Sequence, residues 1–219
     1  MINRENLISV DPSELFGKLS DQNYRTDDEI RDSVRNSLRG IPQGEPVWIF
    51  CYGSLIWNPV INFSDRQQGF LLGYERAFCM KMNIGRGSYE TPGRMLALIP
   101  GKRVDGIFLR IDENNISDEL EILWRREMRT SGYHPIWEKA ELADGRKIIA
   151  LTFAMSEHNI YFDPVYNPDY VAEYITKAAG PLGTNKEYLD MISLSLSKEG
   201  ISDNYINQVT EAVEKLVSL

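Results

Sequence analysis

Between Pro46 and about Leu151 the chain is a succession of short apolar or alternating runs cut by turn residues, and that pattern restricts the fold more than any other feature. "VWIFCY", "GFLLGYERAFCMKM", "RMLALIP", "VDGIFLRI" and "KIIALTFAM" read as strands separated by Gly, Pro, Asn and Asp. One helix breaks the series at about 117–130. Beyond Asn167-Pro168 the period becomes helical: "DYVAEYITKAA", closed by Gly180-Pro181; "KEYLDMISLSLSK", capped by Asn185; and "DNYINQVTEAVEKLV", with Ile206, Val209, Val213 and Leu216 on one face. Strands first and helices later predict an α+β domain, which a small barrel would close.

Residues 1–45 have a different character, polar and poor in aromatics. Within them Thr26 and Glu29 have capping-box spacing, Ile30, Val34 and Leu38 make a narrow apolar stripe, and Gly40 ends the helix. So thin a stripe predicts docking on a larger body. The division expected is therefore a helical extension over 1–45, carrying no visible chemistry, and a main domain over 46–219 with C-terminal helices.

A net charge of −8 argues against a surface for nucleic-acid backbones, while leaving room for a local basic pocket. Two cysteines in apolar surroundings, Cys51 and Cys79, point to buried thiols in a reducing compartment. "INRENLISVDPSEL" after Met1 lacks the basic start and apolar core of a secretion signal, and no run has the eighteen or so apolar residues of a membrane span. A cytoplasmic protein without membrane or nucleic-acid partners is expected.

The helix "SDELEILWRREMRT" holds a carboxylate in an unexpected place. With about 100° per residue, Ile116, Leu120, Leu123 and Trp124 form one apolar stripe, and Glu127 falls in its middle. Glu121, Arg125 and Arg126 lie off it. Burial would raise the Glu127 pKa towards the roughly 6–7 that suits a general base. The alternative is that Glu127 lies where the stripe has reached solvent, or pairs with a nearby arginine. Six residues on, Tyr133 opens a strand and could orient a substrate or Glu127; plain packing is the other reading.

The second unusual stretch is "IFCYGSLIW", residues 49–57, in which a Tyr-Gly-Ser turn interrupts a core strand. Gly53 permits backbone conformations closed to other residues and close ligand approach. Consecutive amides at 53–55 could bind an anion or a polarised carbonyl, with Ser54 and Tyr52 adding hydroxyls. A β-bulge or strand end explains the turn equally well. His134 and His158, the only histidines, lack metal-ligand spacing, and no phosphate-binding glycine loop or nucleophile elbow occurs. A Cys51–His134 thiol pair is conceivable, against a buried structural cysteine.

Taken in order, "FCYGSLIW" (50–57), "TPGRMLAL" (91–98), "LWRREM" with "SGY" (123–133) and "AAGPLGTNKEYL" (178–189) resemble the ChaC family of γ-glutamylcyclotransferases, from about Val47 to about Ile192. The resemblance implies a small mixed β-barrel with peripheral helices and an enzyme acting on glutathione, releasing 5-oxoproline and Cys-Gly without metal or cofactor. It implies Glu127 as the catalytic carboxylate and Tyr52, Gly53, Ser54 and Leu55 as the substrate loop, flanked by Cys51 and Ile56. Cys51 stands where members often have glycine. A cation for the substrate's glycine carboxylate is expected from Arg94 or Arg86. Three alternatives stay open: another γ-glutamyl amine or peptide as substrate, a non-catalytic regulator on the same scaffold, or the thiol chemistry of Cys51.

Overall fold

A computed structural model describes residues 2–20, 24–41 and 44–218. Five strands close a barrel: β1 (Trp48–Cys51), β2 (Asp65–Met82), β3 (Gly93–Arg110), β4 (His134–Leu142) and β5 (Lys147–Ala154), in the order β1-β3-β2-β4-β5. Most neighbours are antiparallel, and the parallel contact of β1 with β5 completes the ring. The barrel expected from the α+β reading is present.

The runs "RMLALIP" and "VDGIFLRI" are one 18-residue strand, β3, rather than two. It pairs with the equally long β2, and register shifts at Leu72/Tyr74 and Ala77/Met80 let both strands curve around the core. Pro100 and Gly101, which look like a break in sequence, are absorbed in this bend. A Cβ on Gly106 would lie 2.6 Å from the Cys51 carbonyl oxygen, so β1 and β3 approach this closely only because that residue is glycine.

Helix α4 (Ile116–Glu127) spans one face of the barrel, with Leu120, Leu123 and Trp124 fully buried. Each such side chain contributes about 1.5–3 kcal/mol of burial. The extension forms α1 (Arg4–Ser9), α2 (Pro12–Phe16) and α3 (Asp27–Leu38), the last with the expected Thr26–Glu29 capping box and buried Ile30 and Val34. It covers the outer face of α4. Arg125, expected off the stripe, is consequently buried and held by Asp27 and Glu121.

On the other side lie α5 (Pro168–Ile175), a two-residue hairpin of β6 (Ala179–Gly180) and β7 (Gly183–Thr184), α6 (Asn185–Lys198) and α7 (Asn204–Val217). Two sequence expectations change here. Gly180 closes β6 and Pro181-Leu182 makes the hairpin turn, so Gly180-Pro181 does not end α5, and α6 is capped by Thr184 with Glu187 in a capping box, not by Asn185. Asn185 is buried, accepting from the Arg94 amide at 2.5 Å and donating to its carbonyl at 2.9 Å. On α7, Ile206, Val209 and Val213 are buried as expected, but Leu216 is exposed in the last turn. Among the described residues no helix is long and apolar enough to cross a membrane.

Candidate active site

The interrupted strand and the misplaced carboxylate meet at one end of the barrel. After Cys51 the chain leaves β1, and residues Ser54–Ile56 form a 3-10 turn with Gly53 as its N-cap. Arg76 of β2, buried in the barrel, donates from Nε to the Tyr52 carbonyl at 2.7 Å and fixes where the turn begins. The amides of Ser54 and Leu55, first in that turn, have no partner within it. Gly53 has φ −136° and ψ −127°, outside the left-handed region. Its value is space: a Cβ there would point at Leu96 Cδ2, 3.5 Å away, and the Tyr188 hydroxyl, 3.8 Å away.

The last turn of α4 faces this loop. Arg126 Nη2 donates to Ser54 Oγ at 2.8 Å, and its Nη1 donates to the Asn58 carbonyl. Arg126 Nε approaches Glu127 Oε1 at 2.9 Å, off the line of a hydrogen bond, so Oε1 accepts none. Burial raises the Glu127 pKa, and the adjacent guanidinium offsets only part of that rise. Glu127 borders a niche of about 20 Å³ whose other walls include Tyr52, Gly53, Ser54, Tyr133 and Tyr188. Burial holds all three phenols in their neutral form. Tyr52 donates to the Phe153 carbonyl (3.0 Å) and Tyr133 to the Leu96 carbonyl (2.7 Å), while Tyr188 presents a neutral hydroxyl to the niche.

The niche adjoins a larger cavity of about 210 Å³, which shares Ser54, Glu127, Tyr133 and Tyr188 with it. Arg86, Met82, Met95 and Met191 continue its wall on the barrel side. The opposite wall comes from the extension: Ile2, Phe16 and Tyr24. That wall is tied to the elements that frame the niche. Asn58 Nδ2 donates to the Ile2 carbonyl (2.8 Å), Gly85 N to the Phe16 carbonyl (2.7 Å) and Arg25 Nη1 to the Met128 carbonyl (2.8 Å). Residues expected to carry no chemistry thus help enclose the cavity.

Of the residues singled out in sequence, Tyr52, Gly53, Ser54, Leu55, Glu127 and Tyr133 converge here. Cys51 and Ile56 do not. Cys51 is fully buried inside the barrel, where burial pushes its thiol far above the ordinary range, which removes the nucleophile reading. Ile56 points into the core. Arg94 is also corrected: it is fully buried, ion-paired with Asp163 at 2.5 Å and stacked 4.3 Å from the Tyr174 ring centre, away from both cavities. Sequence reasoning missed Arg126 and Tyr188. The first sat off the apolar stripe, and the second lay within "NKEYL" with nothing local to mark it. Among the described residues no three of His, Cys, Asp and Glu gather as metal ligands would.

A family model described as ChaC-like protein matches residues 47–216. The chain belongs to the ChaC-like family. That match continues through α7, further than the Ile192 at which the sequence resemblance ended. Among ChaC-like relatives, a glutathione-specific γ-glutamylcyclotransferase of Escherichia coli (strain K12) is 38% identical over 218 residues, covering 100% of this chain and 94% of that protein. The extension therefore aligns with that relative as well. Glutathione-specific γ-glutamylcyclotransferase 1 of Rattus norvegicus is 28% identical over 184 residues, covering 81% of this chain and 82% of its own length. The solved structure of a yeast γ-glutamylcyclotransferase specific to glutathione superposes with a TM-score of 0.72 at 21% identity, covering 78% of this chain and 97% of that one, so the ChaC-like fold is shared.

Proposed function

We propose that this ChaC-like chain cleaves glutathione by cyclising its γ-glutamyl group, giving 5-oxoproline and Cys-Gly. The observation that carries the reading is Glu127: a buried carboxylate of raised pKa facing the Tyr52–Leu55 turn across a niche of about 20 Å³. Residues 46–219 are read as the catalytic domain and 1–45 as an extension that supplies part of the cavity wall.

The substrate brings its own nucleophile, the α-amine, which attacks the γ-carbonyl carbon and closes a five-membered ring. Glu127 takes a proton from the ammonium; its Oε1 is enclosed beside Arg126 Nε, so the other carboxylate oxygen is the one that meets the substrate. Attack leaves the ring nitrogen with one proton too many; Glu127, having passed the first proton to solvent, takes this second one and delivers it to the leaving nitrogen as the C–N bond to cysteine breaks. The amides of Ser54 and Leu55, which have no partner within their turn, and the neutral Tyr188 hydroxyl are suited to steady the oxyanion. The walls hold the amine against the carbonyl, an orientation effect worth several kcal/mol in reactions of this kind. Arg126 joins Ser54 to Glu127, so loop and base keep one relative position.

The test is release of 5-oxoproline from reduced glutathione beside γ-glutamyl-alanine and γ-glutamyl-lysine, with Glu127→Gln as the blank. Release from glutathione alone is expected. Release only from the other compounds would keep the ring closure and change the substrate, and no release from any would remove the catalytic reading.

A further inference from the structure

Three arginines line the larger cavity, Arg86, Arg126 and Arg129, on a chain of net charge −8. They are not equally available. Arg126 is committed to Ser54, Asn58 and Glu127. Arg129 donates to the Arg25 carbonyl and pairs with Asp27 at 2.8 Å, tying down the extension. Arg86 uses one nitrogen only: Nη1 donates to the Thr184 carbonyl at 2.8 Å and lies 3.4 Å from Glu187 Oε2. Its side chain is one-fifth exposed, and Nε and Nη2 enter no hydrogen bond among the described residues.

Its place relative to the niche is equally specific. Arg86 sits in the loop between β2 and β3, and its guanidinium lies 5.7 Å from the centre of the Tyr188 ring. The hydroxyl of that ring borders the niche beside Gly53. Tyr188 thus forms the floor between niche and guanidinium. Two residues of extended chain reach about 7 Å, the length of the dipeptide that follows a γ-glutamyl carbonyl. A planar guanidinium with two adjacent free donors matches a carboxylate in bidentate fashion.

Resting on the cyclotransferase reading, we propose that Arg86 is the specificity-determining residue for the far end of the substrate. It holds the C-terminal carboxylate of the dipeptide that follows the γ-glutamyl group, so that the γ-carbonyl falls in the niche. The substrate class is a γ-glutamyl tripeptide with a free terminal carboxylate. Arg86 touches the substrate remote from the reacting atoms, so it acts on binding and leaves the chemical step unchanged.

The experiment compares glutathione with its glycine amide, which keeps the shape and removes the charge. Wild type is expected to prefer glutathione by about 10- to 100-fold in kcat/KM, the effect of a charged hydrogen-bonded pair, carried by KM. Arg86→Ala is expected to lose that factor on glutathione and nothing on the amide, and Arg86→Lys to regain part of it. Equal losses on both compounds would overturn the proposal and leave Arg86 as a structural tie to Thr184. Calorimetric binding of both compounds to Glu127→Gln and to Glu127→Gln/Arg86→Ala runs in parallel. Should wild type release no 5-oxoproline, the cyclotransferase reading fails, and Arg86 is judged by binding alone: no preference for glutathione over the amide overturns it.

Discussion

The two ends of α4 each bury a glutamate, and they do opposite things with it. Glu119, in the first turn, has a side chain only 3% exposed. Burial pushes its pKa up, but hydrogen bonds from Arg4 (2.5 Å) and from the amide and side chain of Asn62 (2.9 and 3.0 Å) outweigh that, and the carboxyl is held below its ordinary value. The helix N-terminus favours the charge as well. Glu127, the last residue, is 14% exposed yet has only Arg126 beside it, at the end of the helix where the dipole opposes a carboxylate. Its pKa is raised. Number and alignment of donors, rather than depth, separate a structural anchor from a proton carrier.

Substitution at the second site should have the largest effect. Glu127→Gln is expected to lower kcat by about 10²–10⁴ while the protein stays folded; turnover near wild type would end the acid–base role. Because the folded pKa lies above the reference 4.5, ionised Glu127 costs stability at neutral pH. The Gln variant should therefore melt at the same or a higher temperature at pH 7, an advantage that vanishes as pH falls below 4.5. On the acidic side, wild-type kcat should fall with an apparent pKa above 4.5, and the pH–rate profile measures it.

Gly53→Val probes the wall facing Glu127. The Cβ has room, but the added methyls enter a niche of about 20 Å³, and kcat/KM should fall roughly 10²-fold with little change in melting temperature. Full activity in that variant would make the turn purely structural.

At the first end the expected readout is stability, not rate. Glu119→Gln should cost about 2 kcal/mol in denaturant unfolding at pH 7 and leave kcat unchanged. The sign with pH is opposite to that at Glu127: a depressed pKa stabilises above the reference 4.5 and the contribution is lost as pH falls through the folded value, so the difference from wild type shrinks in acid. A drop in kcat would join the two ends in one function and break the contrast. Smallest is Phe16→Ala in the extension's wall. A several-fold rise in KM with kcat held is expected from lost uniform binding, and unchanged steady-state constants would show that the wall only encloses.

Local signals in the sequence read well where the physics is local. Alternation marked the strands, Thr26 and Glu29 the start of α3, and a 100° wheel placed Glu127 on a buried face before any contact was known. The Tyr-Gly-Ser interruption marked where β1 ends. Signals failed where a residue's role depends on what packs against it. Arg94 and Arg86 stand eight positions apart in similar glycine-containing stretches, and nothing in either says that one stacks on Tyr174 while the other overlies Tyr188. Arg125 looked solvent-facing because the face it occupies is covered by a helix nearly a hundred residues earlier.

The sequence by itself determined the kind of elements, their order, and the family to which the chain belongs, because periodicity, caps and contiguous motifs are properties of neighbours along the chain. Only the tertiary structure decided which of the charged residues became anchors and which face the cavity. That choice is made by desolvation and by what distant positions bring: Arg4 and Asn62 donate to Glu119, no distant donor among the described residues reaches Glu127, and the extension's Ile2, Phe16 and Tyr24 form the far wall of the cavity.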